Sequence, residues 1–168
     1  MKGSDRFLFA IVAGALLVAG AAVATTLSHR TEPAYRAEAA PQDVAYNYLL
    51  ALQKRDYVRA YGYVSPQLTN YPRTVEQFAS DLGMAYGRDP ERNAVFEVDP
   101  AQIAGSLATV NVRETQFYSG GLFNSGENTM TYPLLLQQVD GAWKVINGAG
   151  HWNGAWQSAP KPVGGPNG

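Results

Sequence analysis

The sequence predicts an α+β domain, with helices first and an antiparallel sheet after them, carried behind an N-terminal transmembrane helix. Three observations predict it. Residues Phe7 to Leu27 form an uncharged, mostly apolar run; apolar residues recur at steps of three and four between Gln42 and Gly87; and after Asn93 the period falls to two.

The opening run, FLFAIVAGALLVAGAAVATTL, would be roughly 31 Å long as a helix, against a hydrocarbon core of about 30 Å. Lys2 and Arg6 favour an N-terminus held inside, which puts the rest of the chain outside the cytoplasmic membrane as a single-pass protein. Residues 1–28 are therefore read as an anchor touching the lipid bilayer through Phe7 to Leu27. Ala22-Val23-Ala24 also reads as a cleavage site, so the alternative is a signal sequence cut near Ala24 and a secreted domain. The length of the run favours the anchor. A buried core helix is the disfavoured alternative, because a helix apolar on every side leaves a small domain no polar face to show water.

Residues 29–41 are polar and Ala-rich with Pro33 and Pro41, the composition of a tether. Residues 42–157 are the expected domain. Val44, Ala45, Tyr48, Leu49 and Leu52 give the first helix its apolar stripe. Asp56 caps a second, on which Tyr57, Ala60, Tyr61 and Val64 share a face until Ser65-Pro66 ends it. Thr74 with Gln77 is a capping-box signature opening a third, with Val75, Phe78, Ala79 and Leu82 inward. Strands follow at Ala94–Val98, Leu107–Tyr118 and Thr129–Val139, and the last turns through Asp140-Gly141 into AWKVIN, a strong hairpin signal because both turn positions need positive φ. Ser119 to Gly126 is expected to be a loop with Leu122 and Phe123 at its tip, a candidate partner contact. The Gly/Pro-rich residues 158–168 are expected to be disordered.

Composition narrows the function. Hydrophobic residues at 46% and charged residues at 16% suit a globular domain of roughly 110 residues with one core. The formal charge is −1, and past Arg30 ten Lys/Arg oppose thirteen Asp/Glu, so nothing points to nucleic acid. The absence of cysteine excludes disulfides, thiolate metal sites, thiol nucleophiles and a lipid anchor on an N-terminal cysteine. Two isolated histidines and scattered carboxylates give no metal-ligand spacing, no phosphate-binding Gly-rich loop follows a strand, and no cofactor is expected.

VAYNYLLALQKRDYVRAYGYVSP resembles the opening helical pair of the nuclear transport factor 2-like (cystatin-like) superfamily, and YPLLLQQVDGAWKVIN resembles its last hairpin. The resemblance implies a curved antiparallel sheet wrapped around the helices as a cone with a pocket at its open end. Bacterial members behind one membrane helix include exported domains similar to lumazine-binding-like proteins. The resemblance thus implies non-catalytic binding of a protein partner or small apolar ligand, often as a homodimer or within an envelope protein complex. The alternatives are an isomerase- or cyclase-type enzyme of the same fold, in which an acid or imidazole in the cone works with a tyrosine or second acid, and an accessory subunit whose membrane helix packs through Gly14 and Gly20.

Tyr48, Tyr61, Glu114, His151 and Trp152 are the candidate ligand-binding residues. Glu114 is in register with Val110 and Val112, which puts it on an apolar face. If that face lines the cone, Glu114 is its best placed acid. The reading preferred from sequence is that the strand emerges into water there. For His151 the preferred reading is packing among Trp152 and Trp156, and for Tyr46, Tyr48, Tyr57, Tyr61 and Tyr63 it is core and rim packing with each hydroxyl reaching a partner.

Overall fold

The computed structural model describes residues 32–86, 94–119, 125–148 and 150–158. The expected membrane segment, the loop tip with Leu122 and Phe123, and the tail past Ser158 lie outside these residues. Among the described residues no helix is long and apolar enough to cross a membrane. The chain divides into two compact units, Met1–Ala34 and Tyr35–Gly168, and every helix and strand among the described residues belongs to the second.

Its three helices are α1 (Pro41–Gln53), α2 (Tyr57–Tyr63) and α3 (Val75–Tyr86). Pro41 opens α1, where its fixed φ suits the first turn and its missing N–H costs nothing. Asp56 caps α2 by accepting from the Arg59 amide at 3.1 Å. The expected capping box at α3 forms in altered shape: Thr74 Oγ1 accepts from the Gln77 amide at 3.2 Å, but the Gln77 side chain accepts from the Arg73 amide rather than that of Thr74.

The main sheet has five strands. β2 (Ala94–Val98) and β3 (Gln102–Ala104) both pair with β4 (Leu107–Ser119), followed by β5 (Ser125–Val139) and β6 (Ala142–Gly148), and these strands pair with one another antiparallel. Asp140 and Gly141 have φ of 50° and 81°, as the Asp-Gly turn requires. Pro133 is tolerated in a long strand because β6 pairs β5 only from Leu134 onward, so β5 is an edge there on that side. Three strands were not legible in the sequence pattern: the short β3, and β1 (Leu68–Thr69) with β7 (Gln157–Ser158), whose pairing ties the segment after β6 to the segment after α2. The strands β4 and β5 also run further into the expected loop than predicted, to Ser119 and from Ser125.

One face of the sheet holds Ala108, Val110 and Val112 of β4, Leu134 and Leu136 of β5 and Val145 of β6, all buried against α1, whose Val44, Ala45, Tyr48, Leu49 and Leu52 are buried too. Asn47 on α1 is also fully buried. Its side chain accepts from the Arg36 amide at 2.8 Å and donates to the Arg36 carbonyl at 2.9 Å, so both its polar ends are satisfied by backbone. The stretch expected to be a free tether is therefore pinned from Tyr35 onward. Tyr35 donates to Asp56, Arg36 lies over the Tyr46 ring, and Tyr63 donates to Glu38 at 2.6 Å.

Candidate functional site

β4 alternates strictly: Ala108, Val110, Val112 and Glu114 are buried, while Leu107, Arg113 and Phe117 are exposed. A period of two therefore carries the apolar face straight into a carboxylate, and Glu114 is only 1% exposed. The expectation that the strand emerges into water at this point is corrected. Cross-strand register places Phe96 of β2 and Met130 of β5 beside it on the same face. The face opens to solvent at Met130 itself and then at Asn128 of β5 and Tyr118 of β4, all exposed.

Glu114 tolerates burial because three side chains donate to it. Gln116 Nε2 reaches Oε1 at 2.8 Å, Tyr132 Oη reaches Oε2 at 2.9 Å, and His151 Nε2 lies 3.0 Å from the same Oε2. Burial alone would push the Glu114 pKa up; the bonds from His151 and Gln116, the attraction of His151 and the bond from Tyr132 together outweigh it and hold the carboxyl below the usual range. An ionised carboxylate can only accept, so the facing His151 Nε2 carries a proton.

His151 is placed by the segment after β6. Gly150 permits the approach, since a Cβ there would lie 2.9 Å from the Tyr132 ring. His151 has φ of 52°, a left-handed conformation that costs a non-glycine residue roughly 1–2 kcal/mol. Tyr48 Oη donates to its carbonyl at 2.7 Å, and its ring meets Phe96 and Tyr132 edge-on with centroids 6.0 and 6.4 Å apart. The imidazole thus packs with Phe96, Tyr132 and Glu114, which corrects the expected packing among Trp152 and Trp156. Changing Tyr48→Phe should destabilise the domain by about 1–2 kcal/mol in urea titrations and shift the His151 ring resonances, because the hydroxyl restrains a strained backbone.

Of the five candidates, the structure brings Tyr48, Glu114 and His151 together. Tyr61 stacks on Tyr71 with centroids 5.1 Å apart and donates to the Pro72 carbonyl at 2.7 Å, so it belongs to the packing between α2 and α3. Trp152 is a core residue, buried and bonded through Nε1 to the Trp156 carbonyl at 3.2 Å. Tyr132 and Gln116 are partners of the Glu114 carboxylate that sequence reasoning missed. Their signal was parity: Gln116 follows Glu114 by two on β4, and Tyr132 stands two before Leu134 on the same face of β5.

Neither a family model nor a curated protein matches the chain. Solved structures do. A ketosteroid isomerase-like protein from Erwinia carotovora is 13% identical, with 64% of this chain and 89% of that one covered and a TM-score of 0.47. A nuclear transport factor 2-like protein of unknown function from Shewanella oneidensis is 11% identical, with 62% and 90% covered and a TM-score of 0.43. For a putative calcium/calmodulin-dependent protein kinase type II association domain from Thiobacillus denitrificans the values are 10%, 70% and 95%, and 0.48. The described residues of the second unit form three helices packed on an antiparallel sheet.

Proposed function

We propose that this is a non-catalytic binding domain, held outside the cytoplasmic membrane by Phe7 to Leu27, that receives a protein partner or small apolar ligand on the sheet face beyond Glu114. One observation carries the reading: both Glu114 oxygens are occupied by side-chain donors and the carboxyl is held ionised. A general base works best with a pKa near the working pH, so a depressed carboxyl committed to three donors is poorly suited to moving protons. It serves instead as a fixed anchor, positioning His151 and Tyr132 at the floor of a face that stays open at Met130, Asn128 and Tyr118.

Native mass spectrometry of the full chain, purified from its own membranes without overexpression, tests this. The expected result is a bound small molecule or partner chain that Met130→Arg strips away, because an arginine there would occupy the open part of the face. A chain that emerges bare would contradict the reading. The same spectrum reads the N-terminus, and a mature chain beginning at Thr25 would remove the anchor.

The isomerase-type alternative has one observation in its favour, the presence of a phenol and an imidazole within hydrogen-bond reach of a buried carboxylate. With Glu114 as the base it requires the carboxylate to take up a proton from substrate near pH 7, which the lowered Glu114 pKa and its three donors oppose.

A further inference from the structure

A second cleft lies away from the Glu114 cluster and shares none of its residues. It has a volume of about 230 Å³ and sits beside α2, between Glu38 of the pinned N-terminal stretch and the start of β6. Its walls carry Arg59 and Lys144 as cations, Tyr63 and Trp143 as flat rings, and Val44 as an apolar patch.

The charges are unbalanced. Arg59 lies over the Tyr35 ring at 3.9 Å, and Lys144 Nζ donates to the Gly62 carbonyl at 2.6 Å. These contacts orient the two heads without neutralising either. Among the described residues neither Arg59 nor Lys144 takes part in an ion pair. The single acid among the residues lining the cleft, Glu38, is engaged by the Tyr63 hydroxyl at 2.6 Å. Burial, followed by that bond, pushes the Tyr63 phenol well up, so it stays a donor to Glu38 and adds no charge.

We infer that this cleft is a binding site for a small organic anion with a flat apolar body, such as an aromatic carboxylate. Lys144 has two further N–H donors and Arg59 a planar fork of five, which suit a carboxylate, while Trp143, Tyr63 and Val44 suit a ring. The volume falls below the roughly 300–1,000 Å³ of drug-sized pockets, which limits the ligand to a small one.

Benzoate is the probe, added to the full-length ¹⁵N-labelled chain in detergent, with the three tryptophan indole N–H resonances followed by NMR. The expected result is a saturable shift of Trp143 with Kd of about 1 mM. Trp152 and Trp156, buried elsewhere, should not move. Benzyl alcohol, similar in shape but neutral, should bind about tenfold more weakly, and Lys144→Gln and Arg59→Gln should each weaken benzoate by about tenfold, since each removes one charge-assisted contact. Failure of Trp143 to shift at about twenty times that Kd would overturn the inference. So would equal binding of benzyl alcohol, or unchanged benzoate binding in the double variant, whose fold the unmoved Trp152 and Trp156 signals would certify.

Discussion

Replacing Glu114 with alanine is expected to destabilise the domain by about 3–5 kcal/mol, as is usual when a buried hydrogen-bonded network around an ionised group is broken. The loss is large because three donors are aimed at the carboxylate from three parts of the chain: Gln116 on β4, Tyr132 on β5 and His151 beyond β6. Each would be left facing an apolar methyl in a region sealed by Phe96 and Val112. Glu114→Gln should cost less, since it keeps the shape and one acceptor oxygen but turns an amide N–H₂ toward donors. Urea titrations at pH 7 measure both, the midpoint falling with little change in slope.

The same residue sets a pH dependence. The Glu114 pKa is lower folded than its ordinary value of 4.5, so its contribution is complete above that value and is lost as pH falls through the lower folded one. The stability gap between the wild-type chain and Glu114→Gln should therefore be widest near neutrality and narrow below about pH 4.

Trp156→Ala is the second large effect, at about 3–5 kcal/mol for removing a buried aromatic. Trp156 stacks on Phe78 of α3 with centroids 5.2 Å apart and planes 17° apart, and meets Trp152 edge-on at 5.2 Å. Its Nε1 donates to Asp81 Oδ2 at 3.1 Å, and the neighbouring Asn153 side chain donates to the Asp81 carbonyl at 2.9 Å. The segment after β6 is thus the strap that holds α3. Hydrogen exchange should show α3 losing protection in this variant well before the β4–β5 core does.

The helices and the β5–β6 hairpin were legible because each carries a local signal: the three-and-four stripe of α1, Asp56 before α2, Thr74 and Gln77 at α3, and Asp-Gly between two strands. β1, β3 and β7 were not, since two or three residues make too short a run for any period to register and their pairing is decided by tertiary closure. Of the site, Glu114 and His151 were identified as the two chemically capable groups, but the sequence pattern assigned each a separate fate. Strand parity placed Glu114 correctly. What parity cannot supply is the return of the chain: the contact between residues 114 and 151 depends on Gly150 letting the backbone close on Tyr132 and on the left-handed turn at His151, and a histidine carries no sequence mark of that conformation. The tether was misjudged in its second half for a similar reason. Its polar residues look solvated until Asn47 is seen to be buried with Arg36 as its partner.

The central claim is that Glu114 is an ionised anchor rather than a proton carrier. A ¹³C NMR titration of the Glu114 carboxyl in the full-length chain tests it most directly. The account predicts a pKa below 4.5, with the His151 and Tyr132 signals changing together as the carboxyl protonates. A carboxyl that titrates above that value, shifted toward the pH at which a proton carrier works best, would contradict it.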